Sequence, residues 1–257
     1  MIRRIIAIAR NTFRESVRNK ILYTLLFFAV GMIAFAVLIA SLALGDFTKI
    51  VRSMGLTSIN LIGVAIAIFV GTRLVVQEIE QRTIFTVLSK PVRRWEFVVG
   101  KFAGLAVLLF FEIALLGAAY IAVVWLANAN PNPSLVVALV GIYIECLVVV
   151  GISLFFSAFT SPVLAVGFVI GSWIIARLAA SLRDLAAQSD SALVATLGKS
   201  IAGVIPNLQY LDFAHPAVHN LPLDPVFVVQ SLLNGLGWAL LFVAAACVVF
   251  ERRAFDK

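Results

Sequence analysis

Residues 77–101, QEIEQRTIFTVLSKPVRRWEFVVGK, form a charged island between two long apolar stretches. Before it, residues 56–76 carry a single charge, Arg73; after it, residues 102–127 carry only Glu112. Apolar runs of about 20 residues are long enough to cross a hydrocarbon core of about 30 Å as helices. A chain built this way crosses a bilayer, places a short amphipathic segment in water on one side, and re-enters. The island is where a partner on that side can push on the membrane part.

The remaining sequence has the same character. The 257 residues are 62% hydrophobic and 13% charged, with a mean hydropathy of +1.07. A soluble domain has roughly 45–50% apolar and about 25% charged residues. A membrane β-barrel would show alternating segments of about ten residues. The runs here are instead continuous in Leu, Val, Ile, Ala and Phe, and read as helices. The expected fold class is an all-α integral membrane protein with six spans, at residues 21–44, 56–76, 97–126, 134–159, 163–182 and 226–250. Residues 160–162 make a tight turn, with Pro162 suited to the first turn of the next helix. Residues 127–133, ANANPNP, make a short polar turn, and 183–225 a longer mixed link. We expect a single transmembrane domain over 1–257, with no soluble domain between the spans and no repeat of about 20–50 residues.

Orientation follows from Lys and Arg. The N-terminal segment holds Arg3, Arg4, Arg10, Arg14, Arg18 and Lys20. The island and its near flanks hold Arg73, Arg82, Lys90, Arg93, Arg94 and Lys101, and the tail holds Arg252, Arg253 and Lys257. Those are 15 of the 20 basic residues, and six spans place all three segments on one face. The other face receives Lys49, Arg52, Arg177, Arg183 and Lys199. Both termini and the island are therefore expected to be cytoplasmic and 183–225 extracytoplasmic. The net charge of +7 is then an orientation signal. A nucleic-acid reading is weak, because no soluble basic domain carries it.

The first 20 residues precede an apolar core longer than the roughly 7–15 residues of a signal peptide, so an uncleaved anchor is expected. Within them Ile2, Ile5, Ile6, Ala9, Phe13 and Val17 recur at helical spacing, with Arg3, Arg10, Arg14 and Arg18 on other faces. This suits an amphipathic elbow helix in the cytoplasmic interface.

Cys146 and Cys247 both fall inside spans, so neither a disulfide nor a metal set is expected from them. His215 and His219 are four apart, but Pro216 argues against a regular helix there. No metal, catalytic or cofactor site is expected. Gly198-Lys199-Ser200 resembles the end of a phosphate-binding loop, yet that loop needs Gly at position 193, which is Leu. Gly100-Lys101 is followed by Phe102 and fails too. An energy-driven function would draw its ATP from another subunit.

The run from Glu78 to Leu88 suits a short helix, with Ile79, Thr83, Val87 and Leu88 on one face. Pro91 ends it. Arg93, Arg94 and Lys101 are then expected where lipid phosphates meet the cytoplasm. From charge alone, a positive loop would explain the segment.

The arrangement Glu78, Glu80, Arg82-Thr83, Leu88-Ser89, Pro91, Arg93-Arg94 and Gly100-Lys101, placed between spans two and three, resembles the permeases of ABC-2 type exporters. Arg82 stands where many relatives have Gly. The likeness extends over the whole topology: basic elbow, six spans, both ends inside, long outer segment before span six. The single-permease subgroup that includes the nitrous-oxide reductase maturation permease is the most similar. The resemblance implies a homodimer or pseudo-dimer in the bacterial inner membrane, carried on two cytoplasmic ATPases that hold the ATP and Mg. Residues 77–95 would be the coupling segment, with Glu78, Glu80, Arg82, Thr83, Leu88, Pro91 and Arg93 seated in an ATPase groove. It also implies an outer cap or gate in 183–225, and leaves an extracytoplasmic partner open.

Glu112, Glu145 and Arg177 lie within spans, where charged groups are costly and turn to a cavity or a partner. Glu145 is sixteen residues before the turn centred on Ser161, and Arg177 sixteen after it. At 1.5 Å per residue both sit roughly 24 Å from the turn, at one depth on neighbouring helices. Glu112 lies about 16 Å beyond Lys101, nearer the middle. Packing or a headgroup contact would explain these charges, as would a polar lining of a path or gate. In the outer link, Leu193, Leu197, Ile201, Val204 and Ile205 have helical spacing that breaks at Pro206-Asn207.

Two function classes are weighed against the permease. An intramembrane enzyme would want His with Asp or Ser at one depth, and no span contains His. A membrane scaffold or assembly protein needs no site at all.

Overall fold

The computed structural model describes residues 2–42, 46–80, 93–127, 131–187 and 205–252, with the backbone alone at 74–80 and 182–187. Helix α1, Ile2–Val17, is followed after a short bend by α2, Lys20–Leu42. Helix α1 is amphipathic, but its buried face runs through Thr12 and Ser16 rather than through Ile2 and Ile6, which are exposed. The reason lies in the helix beneath it. A Cβ on Gly100 would come within 2.7 Å of Ile8, and one on Gly104 within 2.6 Å of the Ala9 carbonyl. Two glycines four residues apart let the helix axes approach closely, and small α1 residues fill the contact. The Ser16 hydroxyl donates to the Thr12 carbonyl at 2.7 Å and is satisfied in its buried position, whereas the buried Thr12 hydroxyl has no hydrogen-bond partner among the described residues.

Helix α3 spans Phe47–Glu80 as one element. The expected second span, 56–76, is thus extended at both ends, and Glu78 and Glu80 belong to the end of this helix rather than to a separate short one. No proline interrupts 47–80, and Gln and Glu at 77–80 are good helix formers. Asp46 precedes the first turn, and the Lys49 ammonium, hydrogen-bonded to it, holds its carboxyl below the usual carboxylate range. Residues 81–92 lie outside the described residues, so Arg82, Thr83, Leu88, Ser89 and Pro91 are not placed.

Helix α4, Arg94–Leu126, starts three residues before the expected span. Glu96 explains the start: its carboxylate accepts the Arg93 backbone N–H at 3.0 Å, satisfying one of the free donors at a helix N-terminus. Helix α5, Pro133–Ser157, begins with Pro133 in its first turn and with the Asn132 side chain accepting the Leu135 N–H at 3.1 Å. Apart from Glu145 and its serines it is apolar on all faces and runs through the centre of the bundle, with Cys146, Val148, Val149 and Val150 inaccessible. Helix α6, Pro162–Ala187, returns after the turn at 158–161. Helix α2 buries one stripe, Leu22, Ala29, Ile33, Ala36 and Ala40, and leaves Phe27, Phe28 and Phe35 exposed.

Residues 205–224 cover the end of the bundle remote from α1. A 3-10 turn, Leu208–Leu211, leads to α7, Ala214–His219, and then to α8, Pro225–Arg252. The helix α7 corrects the expectation drawn from Pro216. That proline falls in the first turn, where its missing N–H costs no helical bond. Asn220 then ends the helix in the left-handed conformation, φ 53°. Residues 188–204, with the periodic leucines, lie outside the described residues. Six of the described helices are long and apolar enough to cross a membrane, α2 to α6 and α8, with Phe47–Arg73 and Pro162–Ser181 as the apolar parts of α3 and α6. The described residues contain no strand. The fold is an all-α integral membrane protein.

Candidate functional site

Glu145, on α5, is 1% exposed, and the structure joins it to Arg177 of α6. Arg177 Nε donates to Oε1 and Nη2 to Oε2, both at 3.0 Å, the two-pronged geometry that makes guanidinium–carboxylate pairs strong. Two further donors complete the carboxylate: Trp173 Nε1 to Oε1 at 2.9 Å and Asn60 Nδ2 to Oε2 at 2.8 Å. Arg177 Nη2 also donates to Asn60 Oδ1 at 3.0 Å. Nη1 reaches the Asp212 carboxylate at 2.7 Å, just after the 3-10 turn. One guanidinium therefore ties α3, α5, α6 and the covering segment at a single depth. The geometry also satisfies both charges, which is what offsets the several kcal/mol of desolvation per ion, as an order of magnitude.

Beside the network lies a cavity of about 390 Å³, with Arg177, Asp212, Thr57 and Asn60 on its polar side and Leu61, Ile142 and Phe213 among its apolar lining. The side chains of Asp212 and Arg177 stay 37% and 24% exposed, so the polar side is open.

The covering segment is fixed at its far end as well. Arg52, buried in the first turns of α3, donates Nη1 to Asn220 Oδ1 at 2.9 Å and to the Val218 carbonyl at 3.4 Å. Asn132 Nδ2 donates to the Ala217 carbonyl at 3.0 Å and to Asn220. A cation at the C-terminal carbonyls of α7 is favoured by the helix dipole. His215 and His219 share the outer face of α7 with ring centroids 4.6 Å apart. Among the described residues no group of three His, Cys, Asp or Glu side chains is placed to hold a metal.

At the opposite end, Lys101 departs from its expected position and Arg94 gains a protein partner. Arg94, expected among lipid phosphates, donates Nη1 to the Phe250 and Glu251 carbonyls at 3.3 and 3.2 Å, and so binds the end of α8. Lys101, expected there too, is inaccessible; it pairs with Glu15 of α1 at 3.6 Å and sits 5.6 Å from the Phe97 ring centre. Arg4 of α1 lies 3.8 Å from Glu96. These contacts clamp the elbow helix to the start of α4. Arg93 takes the position before that helix. Glu112 takes no part in either cluster. It is buried in α4, and neither carboxylate oxygen has a hydrogen-bond partner among the described residues.

Sequence reasoning paired Glu145 with Arg177 but missed Asn60, Trp173 and Asp212. Asn60 carried a signal, a lone amide in an otherwise apolar stretch. Trp173 is four residues before Arg177, hence on the same helix face. Nothing in the sequence brings Asp212, in an irregular segment, to them.

A family model described as ABC-2 family transporter protein matches residues 6–255, nearly the whole chain. No curated protein matches it.

Proposed function

This chain belongs to the ABC-2 family of transporters and is a multi-pass membrane permease, and on that premise we propose that it is the transmembrane subunit of an exporter driven by a separate cytoplasmic ATPase. The observation that carries the mechanism is the continuity of the two helices flanking the island. Helices α3 and α4 hold 34 and 33 residues, so each is a rod of about 50 Å. Both run from the island to the far end, and α3 carries Asn60 into the Glu145–Arg177–Asp212 network.

In this reading the ATPases hold the ATP and Mg, and residues 77–95 sit in a groove of each. Glu78, Glu80, Arg82, Thr83, Leu88, Pro91 and Arg93 make or orient that contact. Nucleotide-driven displacement of the island tilts α3 and α4. Asn60 then shifts against Glu145 and Arg177, the Arg177–Asp212 contact loosens, and the cavity opens as the chamber through which substrate leaves. The elbow helix, clamped through Glu15 and Arg4, moves with α4. The assembly is a homodimer in the bacterial inner membrane, with both termini and the island cytoplasmic. The island pattern groups it with single-permease systems such as that of nitrous-oxide reductase maturation.

The test is capture of the ATPase. Native protein purified in mild detergent should bring an ABC ATPase with it. The variant Glu78→Lys/Glu80→Lys should insert normally yet lose that ATPase or its stimulation. A variant with normal ATPase recovery and normal transport would remove the island from the mechanism.

A further inference from the structure

The cavity beside Arg177 has a charge imbalance. Among the described residues three charged side chains line it: Glu145, Arg177 and Asp212. Four N–H donors fill the acceptor positions of Glu145, an arrangement that suits the carboxylate and leaves no site for a proton. Asp212 is also held as an acceptor, Oδ2 by Arg177 at 2.7 Å and Oδ1 by the Ala214 N–H at 3.1 Å. Two carboxylates thus face one guanidinium. Each oxygen of Asp212 retains acceptor capacity, and its side chain is 37% exposed. Arg177, by contrast, gives its Nε and both Nη2 N–H groups to Glu145 and Asn60 and one Nη1 N–H to Asp212, so a single Nη1 N–H is left and its charge is already faced by two carboxylates. Arg52, the next cation along α3, is absent from the lining and directs Nη1 to Asn220 and Val218. The remaining lining is mostly apolar: Leu56, Leu61, Ala138, Ile142, Leu211 and Phe213.

We propose that this cavity binds a monovalent organic cation with a compact apolar body. The cationic centre sits against the open side of Asp212, and the body lies on the walls of Leu61, Ile142 and Phe213. An anion there would meet the excess carboxylate and find Arg177 with one Nη1 N–H to offer and a charge already balanced by Glu145 and Asp212. Removing either from bulk water into a site walled by apolar groups strengthens that discrimination, because the local dielectric is lower than that of water. The volume of about 390 Å³ limits the ligand to a small amphiphile and rules out a polymer held whole. The inference rests on the permease reading only in calling this ligand a substrate; binding itself requires no ATPase.

Labelled tetraphenylphosphonium, bound to the purified chain in uncharged detergent micelles, tests the idea. Tetraphenylborate, of nearly the same shape and opposite charge, is the competitor. Saturable binding of the cation is expected, with no displacement by the borate. Asp212→Asn, which keeps an acceptor for Ala214, should weaken the cation by about tenfold, as loss of one partly screened charge would. Leu61→Trp, at a half-exposed position of the lining, should reduce binding by filling the space, and serves if Asp212→Asn fails to fold. Absence of saturable binding, equal displacement by the borate, or unchanged affinity in folded Asp212→Asn or Leu61→Trp would each overturn the proposal. None of those results bears on ATPase capture, and failure to capture an ATPase would leave the binding result standing.

Discussion

Arg177 and Asp212 meet at 2.7 Å, and through that contact a residue inside a membrane-spanning helix holds the segment that caps the bundle. Asp212 is the exposed end of the network and Glu145 its buried end. The guanidinium between them senses both the packing of the helices and the position of the cap.

Removing one partner of a buried pair leaves the other charge uncompensated, which costs roughly 3–5 kcal/mol. Glu145→Gln or Arg177→Gln should therefore lower the thermal midpoint in detergent, and the double variant should recover part of the loss. Strict additivity of the two effects would show that the side chains do not interact. A double variant restored in stability but inactive in transport would place the pair on the transport path.

Glu112 predicts the opposite sign. A buried carboxyl without a hydrogen-bond partner gives up about 1–3 kcal/mol of desolvation. Glu112→Met should raise the thermal midpoint. A lowered midpoint would mean that Glu112 is satisfied in the working protein, by water or by a partner chain. Higher stability together with lost transport would mark it as retained for function.

The elbow contact tolerates no added side chain at Gly104, because the nearest obstacle is the Ala9 backbone carbonyl. Gly104→Val should displace α1 and destabilise by about 1–3 kcal/mol, the usual range for overpacking. The companion change at Gly31, which has open space around its Cβ position, should be nearly silent in packing. Equal midpoints for the two variants would dismiss the clamp.

Membrane orientation is read by cysteine labelling in a background lacking Cys146 and Cys247. Single cysteines at Asn130 and Ser189 should react with an impermeant reagent in intact cells, and those at Ser89 and Asp256 should not. Reaction of Ser89 from outside would invert the proposed arrangement.

Much of this architecture is legible in the chain. Continuous apolar runs leave the helix as the only way to satisfy backbone polar groups in lipid, and their lengths set six spans. Equal offsets from the turn at Ser161 place Glu145 and Arg177 at one depth, since rise per residue is constant along a helix. What linear spacing cannot supply is rotation about each helix axis and the path of irregular segments. Only the packed bundle turns Asn60 and Trp173 onto the same carboxylate and brings Asp212 to the guanidinium. Likewise Arg94 and Lys101 look like headgroup residues by position. The close approach of α1 permitted by Gly100 and Gly104 buries Lys101 against Glu15, and the end of α8 takes Arg94. Hydropathy decides which segments enter the membrane, because transfer energy sums along the chain. Tertiary packing decides which charges meet inside it, because a buried ion is tolerable only where donors and acceptors from separate helices converge.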